Sequence, residues 1–294
     1  MLELNAPPQV CCVVLNWNGW ADTLECLSAL KECRYPSLTI IVVDNGSTDD
    51  SAARIKSAHP DILVLESGSN LGFSGGNNIG IRHALATGAN YVWLLNNDTK
   101  PASDALSALV AKALTDKRIG AVASICYHAD ESLTVQAWAG SRINLWIGYG
   151  RMCTEPHEDD WFHSLNGTSM LLSKEVLEDV GLLDERFFLY WEDTEFCLRL
   201  RKKGWRIAAA AESRVLHKVN ASTAGNKLLL DRYQTASGLH LLQLHSPAPL
   251  LASFMFLAIR FTRRIVRLQF SRCRSVISGI QDYRRASCGP PNGN

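Results

Sequence analysis

The sequence predicts an α/β protein: a mostly parallel central sheet flanked by helices, followed by a helical C-terminal extension. Three observations carry that expectation. Short apolar, β-rich runs alternate with stretches whose apolar residues recur at helical spacing, the signature of strand–helix–strand units. Those runs end, again and again, in Asn, Asp and Gly. The 294 residues, 47% hydrophobic and 20% charged, suffice for a buried core in one large or two smaller domains.

The elements follow in order. QVCCVVLNW (9–17) reads as a first strand, with Cys11 and Cys12 as small strand hydrophobes. ADTLECLSALKEC (21–33) spaces Leu24, Leu27 and Leu30 as one helical face. SLTIIVVDN (37–45) is a second strand, and STDDSAARIKSA (47–58) opens with a helix N-cap signature. DILVLES (61–67) is a third strand, after which a glycine-rich loop enters a helix through Ala86. NYVWLLNND (90–98) is the fourth strand, ASDALSALVAKALTD (102–116) a helix and IGAVASICY (119–127) a fifth strand. Such alternation implies parallel pairing with right-handed crossovers.

Periodicity weakens from 128 to 165, where Trp138, Trp146 and Trp161 are expected in the core rather than on a ligand. GTSMLLS (167–173), a helix at 174–180, FFLYWED (187–193), a helix to about Lys203 and a strand near 206–211 follow. After Asn226 the pattern is helical to about 245. PLLASFMFLAIRFTRRIVRLQF (249–270) reads as a helix with an apolar stripe and an arginine fringe, and 276–294 as a disordered tail.

Charge excludes some classes. A net charge of +1 implies neither a nucleic-acid binder nor an acidic partner. The distribution is uneven: eight arginines and one acid give residues 233–294 a charge of +7, so residues 1–232 carry −6. Nine cysteines, an odd number without a CxxC pair, suggest reduced thiols, and MLELNAPPQV lacks the basic start and apolar run of a signal peptide. Both favour a cytoplasmic location. The uncharged part of 249–270 is shorter than the roughly 20 apolar residues of a spanning helix. It suits a helix lying in the interface of an anionic membrane, the alternative being a helix packed on the domain with solvated arginines.

Why should a strand such as LLNNDTKP (94–101) leave the core through Asn96, Asn97 and Asp98? In an open parallel sheet, ligands bind beyond the carboxyl ends of the strands. Polar clusters stand at four such ends: Asn16-Trp17-Asn18-Gly19, Asp44-Asn45-Gly46-Ser47, Asn70 through Asn78, and Asn96-Asn97-Asp98. Any one is an ordinary turn. Four on one edge predict a ligand cleft. NWNG lacks the glycines of a GxGxxG dinucleotide fingerprint, and no GxxxxGK[ST] loop is present, which removes the most specific features of NAD and P-loop readings.

VVLNWNG, VVDNGSTDDS, NLGFSGGNNIGI and LLNNDTKP, in that order and spacing, resemble the nucleotide-sugar half (9–127) of a family 2 glycosyltransferase of GT-A, Rossmann-like fold. NGTSMLLSKEVLEDVGLLDERFFLYWEDTEFCLRLRKKGW and RVLHKVNAST resemble its acceptor half (128–225). The catalytic domain would thus span 1–225, with a basic helical extension at 226–275. Within the family the sequence is most similar to rhamnosyltransferase-like members, which use dTDP-L-rhamnose.

The resemblance implies roles. Asn16, Asn18, Asp44, Asn45 and Ser47 would contact the nucleotide, with Asp44 accepting from the N3–H of uracil or thymine. Asn70, Gly72, Gly75, Asn77 and Asn97 would join them, the glycine-rich loop approaching through its backbone N–H groups. Asp98 matches the last acid of the DxD motif that holds Mg2+ or Mn2+ on the diphosphate, although position 96 is Asn, which weakens the site. His217 matches a histidine completing that site. Glu192 and Asp193 match the ED motif, with Asp193 as general base, while Asn166, Gly167, Thr168 and Trp191 match the sugar-contacting segments. Each has a plainer alternative: an Asx turn at Asp44, a flexible loop at 70–78, a structural histidine, helix N-terminal acids favoured by the macrodipole.

The expected activity is inverting transfer of a sugar to a lipid-linked or polysaccharide acceptor in cell-wall or polysaccharide biosynthesis, at the inner face of the cell membrane. dTDP and UDP differ by one methyl, worth about 1 kcal/mol when buried, so a UDP-sugar remains the alternative donor. A sugar nucleotidylyltransferase would need a GxGTR-type loop that NWNG lacks. A degenerate, membrane-associated nucleotide-sugar-binding module stays open because position 96 is not an acid.

Overall fold

The computed structural model describes residues 6–130, 132–218 and 226–287. Its first half runs β1 (Val10–Asn16), α1 (Trp20–Lys31), β2 (Leu38–Asp44), α2 (Ser51–Ala58), β3 (Leu63–Glu66), α3 (Gly72–Ala86) and β4 (Tyr91–Asn96). β5 (Thr99–Pro101), α4 (Ala105–Ala113) and β6 (Ile119–His128) follow. The middle holds β7 (Val135–Trp138), β8 (Gly140–Asn144), β9 (Tyr149–Met152), a 3-10 turn at Asp159–Trp161 and β10 (Ser164–Leu165). The remainder is β11 (Ser169–Ser173), α5 (Lys174–Val180), α6 (Glu192–Lys202), β12 (Arg206–His217), α7 (Lys227–His245), α8 (Pro249–Ile265) and α9 (Phe270–Ser287).

Nine strands form one sheet in the order β3-β2-β1-β4-β11-β6-β12-β5, with β7 paired to β6; β10, β8 and β9 make a small second sheet. The chain order reverses between β1 and β4, which leaves a crevice at their carboxyl ends. β1 through β4 pair in parallel as expected, and so do β6 and β12. β11 departs from that expectation, running antiparallel to both β4 and β6. All five of its residues are buried, so nothing in its pattern distinguishes the two directions.

Alternation along β1 explains the layers. Cys11 and Val13 join Ile81, Leu94, Met170 and Phe196 on one face, whereas Val10, Cys12 and Val14 join Leu27, Ile55, Trp93 and Leu109 on the other. Cys11 and Cys12 are indeed buried strand residues, and burial pushes the Cys11 thiol up to about 11.

The C-terminal segment differs from its sequence reading in three ways. The helix expected over 249–270 stops at Ile265, because Leu268 takes a left-handed φ of 54° and the Gln269 N–H reaches back to the Arg264 carbonyl at 2.8 Å. The tail expected to be disordered from 276 is helical to Ser287 (288–294 lie outside the described residues). Gly279 lets α9 lie against α7, where an added Cβ would come within 2.4 Å of the Arg232 carbonyl, and Arg232 pairs with Asp282 at 2.5 Å. The arginine fringe is also divided. Arg264 and Arg272 both bond the buried Asp231 of α7, and Arg260 lies 3.5 Å from it, while Arg263 and Arg267 are exposed. Among the described residues no helix is long and apolar enough to cross a membrane.

Candidate functional site

A cavity of about 720 Å³ opens at the carboxyl ends of β1 and β4. Asn45, Asn70, Gly72, Asn97 and Asp98 line its strand side; Asn166, Gly167 and Thr168 line its floor; Trp191, Glu192, Asp193 and His217 complete it. These expected site residues, scattered over 173 positions of sequence from 45 to 217, are therefore brought together.

The others are not in the cavity wall. Asn16, Asn18, Asp44 and Ser47 form a hydrogen-bonded base beneath the first two loops. Asp44 Oδ1 accepts from Asn16 Nδ2 at 2.7 Å and Ser47 Oγ at 2.6 Å, and its Oδ2 accepts from the Ser47 N–H at 3.1 Å. Asn18 takes φ 49° so that its N–H reaches Ser47 Oγ at 2.9 Å and its Oδ1 accepts from the Thr48 N–H at 2.8 Å. Asn97 Nδ2 donates to Thr23 Oγ1 at 3.0 Å, and Thr23 donates in turn to Asn16 Oδ1 at 2.8 Å.

The glycine-rich segment departs from expectation. It is helical from Gly72, and its first N–H groups are taken: Leu71 donates to Asn45 Oδ1, Gly72 to Asn70 Oδ1 and Phe73 to the Phe188 carbonyl. A Cβ on Gly72, at φ 72°, would sit 2.2 Å from the Phe188 carbonyl, and one on Gly80 would sit 2.3 Å from Val13. These glycines bring α3 close to the sheet and to the 184–191 loop. Gly75 faces Leu71, and Asn77 Nδ2 donates to the Phe73 carbonyl of its own helix.

Asp98 and His217 meet across the β4–β5 turn and the end of β12. His217 Nε2 lies 3.3 Å from Asp98 Oδ1, close enough for an ion pair but not aligned as a hydrogen bond. Asp98 Oδ1 is buried and accepts no hydrogen bond among the described residues. His217 Nδ1 lies 2.7 Å from Gln136 Oε1. An amide oxygen only accepts, so Nδ1 carries a proton, and in the neutral ring Nε2 then turns its lone pair toward Asp98. An orphaned carboxylate oxygen facing an imidazole lone pair fits a divalent cation. Among the described residues no group of three or more His, Cys, Asp or Glu could hold a metal alone, so the shell would need oxygens from elsewhere.

The second constellation opens α6. Tyr190 and Trp191 both take left-handed φ, 69° and 70°, a costly conformation for bulky residues that turns the chain sharply into the helix. Asp193 Oδ2 accepts from the Gly167 N–H at 3.0 Å, and Oδ1 from the Thr194 N–H at 2.6 Å. Gly167 is aimed by Asn166, whose Oδ1 accepts from the Thr168 N–H at 3.0 Å and Thr168 Oγ1 at 2.9 Å. Burial raises the Asp193 pKa despite these bonds. Burial, with the neighbouring Asp193 charge, holds that of Glu192 well above the usual range, and Glu192 Oε2 has no hydrogen-bond partner among the described residues.

Several wall residues escaped sequence reasoning. Asn226, which caps α7, and Leu229, Tyr233 and Gln234 of α7 line the cavity, so its wall extends past position 225. Tyr233 stacks on Phe188 with ring centroids 4.9 Å apart. Ile143, Gly150 and Met152 of the β8–β9 hairpin, Phe73 and Trp17 also line it. Trp17 and Phe73 at least stood in polar clusters at strand ends; the hairpin and Gln136 carried no signal. Residues 219–223 of the RVLHKVNAST stretch lie outside the described residues.

The sequence model of the family described as "Glycosyl transferase family 2" matches residues 11–181. The chain is 30% identical over 184 residues to the low-salt glycan biosynthesis hexosyltransferase Agl10 of Haloferax volcanii, covering 60% of this chain and 58% of that protein. It is 26% identical over 223 residues to the N-acetylglucosaminyl-diphospho-decaprenol L-rhamnosyltransferase of Mycobacterium tuberculosis, covering 67% of this chain and 72% of the relative. The solved structure of the mannosyltransferase PcManGT from Pyrobaculum calidifontis with GDP-Man and Mn2+ superposes with a TM-score of 0.60 at 18% identity, covering 98% of this chain and 77% of that one. That likeness concerns the fold.

Proposed function

The chain belongs to glycosyl transferase family 2, and we propose that it transfers a hexosyl unit, L-rhamnose from dTDP-L-rhamnose in the first instance, to a hydroxyl of a lipid-linked or polysaccharide acceptor with inversion. The observation that carries this reading is that one cavity holds both the Asp98–His217 pair and Asp193. A lone polar strand end would not need a base, and a helix N-terminal acid would not need a cation site.

Asp98 and His217 would hold Mg2+ or Mn2+ with donor oxygens and water, which neutralises charge on the departing diphosphate. This chain supplies the rest. The Gly167 and Thr194 N–H groups fix the Asp193 carboxylate. Asp193 removes the acceptor hydroxyl proton as that oxygen bonds the anomeric carbon, and the bond from that carbon to the diphosphate breaks with its electron pair leaving on oxygen. A raised pKa makes Asp193 a stronger base than an ordinary carboxylate. Asp44 Oδ2 accepts one bond and retains capacity for the N3–H of a pyrimidine. Rhamnose and a lipid-linked acceptor are supported by the name of the mycobacterial relative; a UDP-hexose is the other donor consistent with the site.

The same reading sets the enzyme on the inner face of the cell membrane. α8 exposes Leu250 at 85% and Phe254 at 71%, and the turn after it exposes Val266 and Leu268, beside the exposed Arg263 and Arg267. Apolar side chains among arginines suit an anionic bilayer surface. Flotation with phosphatidylglycerol vesicles at low salt should carry the protein up; its absence from the vesicle fraction would remove this part of the reading.

The test of the activity is incubation with dTDP-L-rhamnose or UDP-hexoses, Mn2+ and a polyprenyl-diphosphate-linked acceptor, with the product's anomeric configuration read by NMR. An inverted product supports the assignment, with the accepted donor settling the base. A retained configuration, or no transfer from any pyrimidine donor, contradicts it.

A further inference from the structure

The cation site proposed above uses two side chains whose chemistry needs an explanation, because His217 alone does not determine whether the Nε2 that faces Asp98 carries the proton. We propose that Gln136 is a positioning residue for the metal site: its amide oxygen holds the His217 proton on Nδ1 and keeps Nε2 open toward Asp98. The inference rests on Asp98 and His217 being metal ligands.

Two independent features of the backbone and side chains converge on Gln136. The first is its place in the sheet. β7 pairs antiparallel with β6, Cys126 facing Ala137 and Tyr127 facing Val135, so Gln136 is the extra residue of a bulge. A bulge redirects a side chain that regular pleating would send elsewhere. Here it turns Gln136 to His217, which pairs with His128 on the other side of β6. The second feature is the chain of distances: Gln136 Oε1 to His217 Nδ1 at 2.7 Å, then His217 Nε2 to Asp98 Oδ1 at 3.3 Å without hydrogen-bond alignment.

The consequence follows from imidazole chemistry. A neutral ring has one N–H and one lone pair, and the partner of one nitrogen decides the state of the other. Without an acceptor at Nδ1, the buried Asp98 oxygen would draw the proton to Nε2, closing the pair as a hydrogen bond and occupying the cation position. Gln136 prevents this, and because an amide is uncharged it does so without adding a negative charge to the site. A metal-ligating histidine needs such an outer partner, whose loss costs about 10–100-fold in metal affinity.

The experiment measures Mn2+ affinity, by the EPR signal of free Mn2+, for the full-length protein with dTDP present. Gln136→Met keeps chain length and removes the acceptor; it should weaken Mn2+ binding roughly 10–100-fold. Gln136→Glu restores an acceptor and should bind Mn2+ at least as tightly as wild type. dTDP affinity without metal should be equal in all. His217→Ala separates the two levels. If it weakens Mn2+ binding while Gln136→Met does not, the role of Gln136 is wrong and the metal reading stands. If neither weakens it, or wild type binds no Mn2+, both fall. Equal loss in Gln136→Met and Gln136→Glu, with lowered Tm in each, would make Gln136 merely structural and overturn the proposal.

Discussion

Asp44 and Asp98 stand at the carboxyl ends of strands of one sheet, and each is only 4% exposed. Their surroundings are opposite. Asp44 accepts three hydrogen bonds from Asn16 and Ser47, whereas Asp98 Oδ1 accepts none among the described residues and faces His217 Nε2. Equal burial therefore conceals two kinds of carboxylate. The first is held by bonds within the fold that tie two loops together, with acceptor capacity left on Oδ2. The second costs free energy in the isolated chain, as a buried charge without a full complement of partners does, and is retained where a ligand can complete it. Asp193 lies between these limits, bonded by two backbone N–H groups yet still raised in pKa.

The largest predicted effect is at Asp193. Asp193→Asn should lower the transfer rate by about 10²–10⁴-fold with metal-dependent dTDP binding nearly intact; joint loss of both in rate assays and calorimetry would erase the division between the two constellations. On the wild type, the acid limb of kcat/KM should fall at a pH above the roughly 3.9 of an ordinary Asp, because a raised pKa leaves the base protonated at higher pH.

Asp98→Asn sharpens the contrast. It should abolish the metal dependence of dTDP binding while leaving the Tm of the ligand-free protein unchanged or higher. Asp44→Ala should do the reverse to stability. It removes the main acceptor of the buried Asn16 Nδ2, which keeps only the 3.2 Å bond to the half-buried Ser47 Oγ, at about 1–3 kcal/mol for a buried group left under-satisfied, and each kcal/mol lowers Tm by about 2–4 °C in a chain of this order of size. Equal Tm changes in the two variants, measured by calorimetry without ligand, would break the comparison.

The smallest effect concerns Glu192. Its folded pKa lies above its unfolded one, so its full contribution to stability is present only below about pH 4.3 and is lost as pH rises through the folded value. Glu192→Gln should match wild-type Tm at low pH and exceed it increasingly toward pH 8. A pH-independent Tm difference would show that folding leaves the Glu192 pKa unshifted and would contradict this account.

The sequence shows what lies along the chain better than what lies across it. Strand ends such as NWNG and LLNND were legible because polar clusters interrupt apolar runs, and most elements fall within a few residues of their expected bounds. The direction of β11 was not, since a strand buried on both faces reads alike either way. The tight packing of Gly72 against Phe188 and of Gly80 against Val13 was not legible either, because the residues that approach lie far along the chain. The inward arginines of α8 could not be separated from the outward ones without Asp231, 29 residues from Arg260. Gln136 was invisible because a bulge breaks the periodicity by which strands are read.

The central claim, a pyrimidine-nucleotide site completed by a cation at Asp98, is tested most directly by calorimetric titration of the full-length protein. dTDP, UDP, GDP and NAD would each be titrated with and without Mn2+, beside Asp98→Ala. The account predicts Mn2+-dependent binding of dTDP or UDP, little binding of GDP or NAD, and loss of the Mn2+ dependence in the variant. Pyrimidine diphosphates that bind equally well in Asp98→Ala, or that do not bind the wild type at all, would contradict it.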